Sequence, residues 1–372
     1  MKADQAKRLV SNLMNWDHGR ATQEFAWLGI MAGYKFDHYQ GYSAGHRFFV
    51  HLLQWLSQYP TQEDRETAYD LVRRLVVMIT QSEMHHLVNL SGPVIERSMR
   101  KAVATMQGIL FYETYDSEAA IKRLQLLRER TLYVGVSDGA RIDVFRRFYE
   151  GRISNEQVIP MAEISETKRK NLLGKLSKRL TKLGIEAEAT FEWICLIDDF
   201  TGSGTSSIRK EESGEWDGKV AKFINGCNEG QTQLLSKDAH ILVHHYLASA
   251  QAAENVSSEL QKYQIHNAVH TFSATFSHVL KESDVISASA EPKLAELLHA
   301  RYDPSIEDEH TKEDIWLGFK KGGLPIILEH NCPNNSVATL WARTNPGGKK
   351  YSSENPLMSP LFPRRQRHLD VR

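Results

Sequence analysis

The stretch Phe191–Ser207, FEWICLIDDFTGSGTSS, constrains the fold of this chain more than any other. Its apolar run from Ile194 to Ile197 is too short for a typical helix and rich in β-branched residues, which predicts a strand buried on both faces of a parallel sheet. We expect this strand to end at Asp198. Asp198 and Asp199 would then lie at the carboxyl edge of the sheet, where open α/β folds bind their ligands.

Two kinds of polar chemistry follow this predicted strand. The carboxylates of Asp198 and Asp199 suit sugar hydroxyls or a hydrated Mg²⁺. In the loop from Gly202 to Ser206, GSGTS, the glycines let backbone N–H groups approach an anion, and the hydroxyls can add hydrogen bonds. The combination predicts a phosphate-binding loop. The alternative interpretation is a tight strand-to-helix turn with a solvated acidic pair.

Other glycine-rich loops do not match this segment. A P-loop requires a Lys directly after its second glycine, and no Lys follows Gly204. A dinucleotide-binding fingerprint requires a third glycine at a spacing that this loop lacks, and it places its acidic residue after the loop. The segment is therefore neither of these two phosphate-binding motifs.

Composition bounds the class of protein. The chain has 372 residues, enough for two domains or one enlarged α/β domain, and its 46 Lys and Arg balance 46 Asp and Glu. This balance gives no indication of a nucleic-acid partner, although a local basic surface stays possible. The three cysteines lie far apart without a CxxC pair, which favours a reducing compartment. With no signal-peptide pattern and no membrane-spanning stretch, we expect a cytoplasmic protein without a membrane partner.

Residues 1–129 have a helical pattern rich in aromatic residues. One helix is predicted from Thr61 to Leu90, with Thr61 and Asp64 as a possible N-cap. The adjacent His85 and His86 point about 100° apart on a helix and therefore cannot chelate one metal ion. We expect this region to form a helical hood or a surface for a protein partner.

A second candidate anion site follows the predicted strand from Leu132 to Val136. The turn after it contains a hydroxyl, a glycine and an arginine whose guanidinium can bind phosphate oxygens in a bidentate manner. Alone, it is also compatible with an ordinary turn and a solvated arginine. The residues of this turn are Ser137, Asp138, Gly139, Ala140 and Arg141.

Further along the chain, predicted strands and helices alternate, as a doubly wound sheet requires. The histidines of this region are interpreted as lining a pocket or the edge of the core. The predicted elements are a strand over 158–164, a helix capped by Ser165, a polar insertion over 208–235 with an exposed run over 210–219, a strand over 239–246, a helix over 249–263, a strand over 265–272, a helix over 305–321 and a strand over 324–328.

A polar cluster follows the last of these strands, at the predicted ligand edge of the sheet. Its amides and imidazole can read the edge of a base or nucleotide, and the alternative is an Asn-rich turn with side-chain caps. The candidate base-binding residues are His330, Asn331, Asn334 and Asn335.

The order of strand, Asp-Asp pair and short Gly/Thr loop resembles the phosphoribosyl-pyrophosphate motif of type I phosphoribosyltransferases. The resemblance implies that Asp198 and Asp199 hold the ribose hydroxyls and take part in binding Mg²⁺. It implies that the turn from Ser137 to Arg141 grips the pyrophosphate, with Arg141 acting in catalysis. It also implies that the following residues bind the ribose 5-phosphate: Thr201, Gly202, Ser203, Gly204, Thr205 and Ser206.

The same resemblance implies a mobile flap that closes on the bound substrate. Residues 153–184 hold the corresponding place in the chain, and their basic run from Lys168 to Lys170 could approach the pyrophosphate or another polyanion. The alternative is that this run is the solvated face of an amphipathic helix.

A wider resemblance extends over most of the chain. The helical region, SDGARID, DDFTGSGTS, HNCPNNS and the PLFPR tail together resemble phosphoribosyltransferase-like proteins of bacterial conflict and anti-phage systems. This implies a defence effector. The loop departs from the usual pattern, because it reads GSGTS in place of TGGT, and the helical region is far larger than in salvage enzymes, so the usual base substrates are in doubt.

These observations predict an α/β fold with a phosphoribosyltransferase-like, mostly parallel sheet flanked by helices and a large helical N-terminal region. The predicted domains are residues 1–129, a core over 130–340 and a basic, proline-containing tail over 341–372. The predicted ligand is phosphoribosyl pyrophosphate or a nucleotide with Mg²⁺. Transfer at the anomeric carbon, hydrolysis of a glycosidic bond, sensing without catalysis and a scaffold role all stay open.

Overall fold

The computed structural model describes residues 3–41, 47–160, 164–308 and 313–364. The chain divides into two compact units, one formed by Met1–Glu83 with Lys281–Arg372 (unit 1) and the other by Met84–Leu280 (unit 2). The domain boundaries predicted at 130 and 340 and the predicted role of residues 1–129 in binding a partner stay predictions.

The helices in chain order are α1 (Ala3–Leu13), α2 (His18–Tyr34), α3 (Phe48–Ser57), α4 (Gln62–Asp70), α5 (Gln81–Gln107), α6 (Glu118–Glu129), α7 (Ile142–Phe148), α8 (Glu166–Lys182), α9 (Lys219–Glu229), α10 (Ala250–His266), α11 (Pro292–Ala300) and α12 (Ala338–Trp341). The strands are β1 (Val77–Ile79), β2 (Thr131–Gly135), β3 (Val158–Pro160), β4 (Phe191–Thr201), β5 (Arg209–Lys210), β6 (Trp216–Asp217), β7 (Leu235–Ser249), β8 (Thr271–Leu280) and β9 (Ile326–Leu328). None of the helices in the described ranges is long and apolar enough to cross a bilayer.

Unit 2 is built on a five-stranded sheet in the order β3-β2-β4-β7-β8, and all of its neighbouring strands run parallel. Parallel strands require crossover connections, and the helices of unit 2 provide them. The predicted parallel α/β sheet flanked by helices is confirmed. β4 lies at its centre, paired with β2 on one side and β7 on the other, so its carboxyl end has neighbours on both sides.

One face of this sheet forms the core of unit 2. Alternate residues of the three central strands, such as Val134 on β2, Leu196 on β4 and Val243 on β7, pack with apolar residues of α8, α9 and α10. Because side chains alternate along a strand, Asp198 follows Leu196 on this face, whereas Asp199 points to the opposite face.

Unit 1 has a separate hydrophobic core, to which its helices and a two-stranded parallel sheet of β1 and β9 contribute. Thr61 caps α4 in a capping box with Asp64, as the sequence predicted. The predicted helix from Thr61 to Leu90 is wrong as one continuous element. It is interrupted by a π-helical turn and by β1, because Val77 pairs with Ile326 across the small sheet.

Other predicted elements also differ. Of the helix predicted over 305–321, residues 309–312 lie outside the described part; the described residues on either side form short 3₁₀ turns, and Gly318 there has a left-handed φ of 85°. The strand predicted over 265–272 begins at Thr271, because α10 continues to His266. The strand predicted over 324–328 is shorter and pairs with β1 instead of joining the large sheet. The tail is not confined to the surface, since Phe362 is buried in unit 1; residues 365–372 lie outside the described part.

Candidate functional site

The acidic pair lies inside the central strand. β4 continues through Asp198 and Asp199 to Thr201, so the predicted strand end at Asp198 is wrong by a few residues. The ladder to β7 explains the difference, because Asp198 pairs in register with His245 and Thr201 with Ala248. Both carboxylates are buried, with Asp198 2% exposed and Asp199 9% exposed.

The carboxylate of Asp198 has partners from three other elements. Ser137 Oγ donates a hydrogen bond to Oδ1, and Lys219 Nζ forms an ion pair with Oδ2. His245 Nε2 lies 4.0 Å from the same Oδ2. Burial and the neighbouring Asp199 raise the pKa of Asp198, while Lys219 and Ser137 act in the opposite direction.

His245 is a neutral member of this group. Its Nε2 lies 3.0 Å from Ser207 Oγ, and the ring is buried. Burial, with a smaller contribution from Lys219, lowers the pKa of His245 to about 3. The positive charge that faces Asp198 at neutral pH therefore comes from Lys219.

The turn after β2 packs directly against the acidic pair. Its Gly139 has no space for a side chain, because an added Cβ would collide with the carboxylate of Asp199. Tyr246 Oη donates a 2.8 Å hydrogen bond to the carbonyl of Ala140. Arg141, the residue before α7, has φ 44° and ψ 43°, a left-handed conformation that costs a non-glycine residue about 1–3 kcal/mol. The two loops that the sequence singled out thus meet at the carboxyl edge of the sheet.

The loop after β4 is held from several sides. Gly204 has a φ of 81°, and its amide donates to Thr201 Oγ1 at 3.1 Å. Asn255 Nδ2 on α10 donates to the carbonyl of Ser203 at 3.0 Å. Ser249 Oγ, which caps α10, donates to the carbonyl of Gly202 at 2.8 Å. The carbonyl groups of Gly202 and Ser203 are thereby hydrogen-bonded to α10 and its N-cap.

Several backbone amides of the same loop are available as hydrogen-bond donors. Within the described ranges, the amides of Ser203, Thr205 and Ser206 donate no hydrogen bond to the protein. The side chains of Ser203 and Thr205 lie 3.0 Å apart, Oγ to Oγ1. Several uncommitted amides in a tight loop can bind an anion.

The candidate base-binding residues lie in unit 1. Asn335 is buried, and its Nδ2 donates to the carbonyl of Phe319 at 3.1 Å, while the Asn334 carbonyl accepts from the Phe319 amide at 2.7 Å. Asn331 is also buried, and His330 is half-buried. The acidic pair belongs to unit 2, so a role of these four residues in binding a base stays a prediction.

Several residues of the site are not identified by the sequence pattern. Lys219 belongs to the run that the sequence suggested to be an exposed insertion, and its ion pair has no sequence signature. The sequence pattern predicts a position for His245 at a pocket or at the edge of the core, and the structure buries its ring beside Asp198. Ser249 and Asn255 resemble ordinary helix residues, although a serine before a predicted helix is a cap signal that could have identified Ser249.

The donor set at the acidic pair does not fit a divalent cation bound directly to Asp198. One oxygen of this carboxylate accepts from Ser137 and the other is paired with the cationic Lys219. Across the described ranges, no three or more His, Cys, Asp or Glu side chains are grouped so that they could hold a metal ion. Protein ligands for Mg²⁺ are usually one or two carboxylates, completed by water and phosphate oxygens.

A parallel sheet flanked by helices, with an acidic pair and a Gly/Thr loop at the end of its central strand, defines an α/β protein of the phosphoribosyltransferase type. The family model PRTase-CE matches residues 52–364, so the chain belongs to this family of phosphoribosyltransferase-like effectors. No curated protein and no solved structure matches the chain.

Proposed function

We propose that the chain binds phosphoribosyl pyrophosphate or a related nucleotide at the carboxyl edge of β4. The 5-phosphate would occupy the loop from Thr201 to Ser206, and the ribose hydroxyls would face the acidic pair. The observation that carries this proposal is the set of uncommitted amides in a loop adjoining two buried carboxylates. Amides suit the phosphate and carboxylates suit the hydroxyls of a phosphorylated sugar.

The proposed reaction is substitution at the anomeric carbon of the ribose. The bond to the leaving oxygen breaks and its electron pair goes to the diphosphate, while the acceptor atom forms the new bond and loses a proton. The residues would act by positioning and charge: Asp198 and Asp199 offset the positive charge that develops on the sugar. Arg141 would face the negative charge of the diphosphate.

We propose Mg²⁺ as an ion that accompanies the diphosphate, since phosphate oxygens are favoured ligands for this metal. No step of the proposed reaction depends on Mg²⁺. The ligand defines two versions of the reaction. With phosphoribosyl pyrophosphate, the diphosphate leaves and the acceptor takes its place at the anomeric carbon. With a nucleotide, water attacks this carbon and gives up a proton, and the base leaves with the electron pair of the glycosidic bond and takes up a proton. Membership of an effector family supports a role in anti-phage defence in the cytoplasm, with a protein partner bound by residues 1–129.

The test is a titration with phosphoribosyl pyrophosphate and Mg²⁺, in which binding is followed by calorimetry and pyrophosphate release by a coupled assay. The wild type is compared with a variant that combines Asp198→Asn and Asp199→Asn. A matched control combines Glu186→Gln and Glu188→Gln, two exposed carboxylates of unit 2. We expect the aspartate variant to lose binding and release by at least about tenfold, which is about 1.4 kcal/mol, and the control to behave as wild type. Absence of wild-type binding both to phosphoribosyl pyrophosphate and to a nucleoside monophosphate titrated in the same way would refute the proposal.

A second candidate function is sensing of the same ligand without catalysis. The ion pair between Lys219 and Asp198 favours it, because one carboxylate of the pair is already engaged inside the protein. A sensor would bind phosphoribosyl pyrophosphate without releasing pyrophosphate over long incubations. The titration above distinguishes this outcome from catalysis.

A further inference from the structure

Lys219 is positioned by the start of α9 and by the loop after β4. Its own amide donates to the carbonyl of Ser206 at 3.1 Å, and the amide of Val220 donates to the carbonyl of Ser207 at 3.0 Å. The preceding Gly218 has a φ of 107°, and a Cβ there would lie 2.8 Å from the Ser207 carbonyl oxygen. This backbone arrangement fixes Lys219 beside the candidate phosphate loop.

The side chain of Lys219 reaches from this position to the acidic pair. Its ammonium contacts Oδ2 of Asp198, and its side chain is 28% exposed while that of Asp198 is 2% exposed. The other oxygen of Asp198 accepts from Ser137. The carboxylate is thus both charge-compensated and hydrogen-bonded, as a buried ion pair requires for stability.

A divalent cation bound directly to Asp198 would have to share this carboxylate with the ammonium of Lys219. Two cations at one oxygen repel each other, and the repulsion is strong because the carboxylate is buried. His245 does not change this balance, because its ring is neutral and hydrogen-bonded to Ser207. The geometry therefore disfavours direct metal binding for as long as Lys219 stays in place.

We infer that Lys219 is the resident counter-cation of Asp198 and takes the place at this carboxylate that a divalent metal ion would otherwise occupy. The inference deepens the proposed function and rests on it for the identity of the ligand. A metal ion that reaches the site would arrive on the diphosphate of the ligand and would not be held there by Asp198 beforehand. Lys219 is a positioning residue: it sets the charge and orientation of the carboxylate that faces the ribose.

The test measures Mn²⁺ binding to the ligand-free full-length protein, by the loss of the electron paramagnetic resonance signal of free Mn²⁺. We expect no tight site in the wild type. Lys219→Met and Lys219→Gln should each create one site that binds Mn²⁺ about tenfold more tightly or better, because the competing charge is removed. Adding Asp198→Asn to either variant should abolish the new site, and Lys219→Arg should behave as wild type.

Lys222→Met is the matched control, because Lys222 lies on the same helix but pairs with Asp217 at 3.2 Å. It should leave Mn²⁺ binding unchanged. Circular dichroism establishes which variants are folded, and either of the two neutral variants suffices. The inference is overturned if the wild type binds Mn²⁺ tightly, or if a folded neutral variant gains no site. These outcomes do not depend on phosphoribosyl pyrophosphate, so failure of the proposed function is detected separately by the ligand titration.

Discussion

Gly204 shows how one residue links backbone geometry to ligand binding. Its φ of 81° favours glycine, and a Cβ would lie 3.1 to 3.2 Å from Val256, Ala252 and Asn255 on α10. A side chain at this position would therefore strain the backbone and push the loop away from the helix. The loop could not then keep its uncommitted amides in place.

We predict that Gly204→Ala weakens binding of phosphoribosyl pyrophosphate by about tenfold or more. It should also lower the free energy of unfolding by about 2–4 kcal/mol, from left-handed strain and from crowding. Calorimetric titration and urea unfolding measure the two effects. Gly214→Ala is the control, because Gly214 has a φ of 90° but no atom within 4 Å of its added Cβ. Equal losses of affinity in both variants would contradict a specific role of Gly204.

In the turn after β2, the conformations of Arg141 and Gly139 are also constrained by backbone strain and close packing. Arg141 holds a left-handed conformation without being glycine, and Gly139 is packed against the carboxylate of Asp199. Strained residues of this kind persist where the surrounding structure enforces them, and they cluster at functional sites. Their position is consistent with the proposed role of this turn in facing the diphosphate.

At the scale of elements, α10 and the phosphate loop share one serine. Ser249 Oγ accepts from the Ala252 amide as the N-cap of α10 and donates to the Gly202 carbonyl. Ser249 is thus the last residue of β7, and its hydroxyl both caps α10 and anchors the loop after β4. Stability and ligand binding are coupled through it.

We predict that Ser249→Ala lowers the free energy of unfolding by about 1–2 kcal/mol and weakens ligand binding several-fold, because the cap and the loop anchor are lost together. Ser165→Ala is the control. Ser165 caps α8 by accepting from the Lys168 amide. Ser165→Ala should lower the free energy of unfolding by about 1 kcal/mol without changing the affinity for the ligand. Urea unfolding and calorimetry test both variants, and an unchanged affinity for Ser249→Ala would show that the loop does not need this anchor.

The helix that the sequence suggested as part of a flap has a structural role at one of its basic residues. Arg169 on α8 is buried, and its guanidinium donates to the carbonyls of Cys227 and Ile164 at 3.1 Å each. A guanidinium committed in this way ties α8 to the end of α9. The predicted approach of this basic run to a polyanion stays untested, and the adjoining residues 161–163 lie outside the described part.

At the scale of the whole molecule, three histidines of β7, the half-buried His240 and the buried His244 and His245, contribute to the response of unit 2 to acid. Burial lowers the pKa of His240 to about 4 and the pKa of His244 and His245 to about 3, against 6.5 in an unfolded chain. Below pH 6.5 the unfolded state binds more protons than the folded state. The stability that these neutral rings contribute is therefore present above pH 6.5 and is lost as pH falls toward about 3.

We predict that lowering the pH from 7 to 5 costs about 2 kcal/mol of unfolding free energy for each of these histidines. Asp198 contributes with the opposite sign, since its raised pKa gives stability that is lost as pH rises. His244→Gln should reduce the difference between the two pH values by about 2 kcal/mol, as measured by urea unfolding. The exposed His86→Gln is the control and should preserve the full difference. An undiminished difference in His244→Gln would contradict the prediction.

The local sequence determined individual elements of this protein, such as a strand, a tight loop and a helix start. The apolar run before Asp198 predicted a buried strand, the glycines after it predicted a tight loop, and Ser165 predicted a helix start. Each depends on backbone preference and side-chain periodicity within a few residues, so short-range physics suffices. The order of these elements also predicted a parallel sheet.

Tertiary structure alone decided which distant groups meet. β1 interrupts a helical pattern because Val77 pairs with Ile326, and Lys219 reaches Asp198 from 21 residues further along the chain. Such contacts depend on the path of the whole chain, and a single ion pair or a short strand leaves no periodic pattern to detect. The sequence by itself thus determined a buried strand with an acidic pair and a glycine loop after it, whereas the folded chain decided where that strand ends and which charges and hydrogen bonds surround the acidic pair.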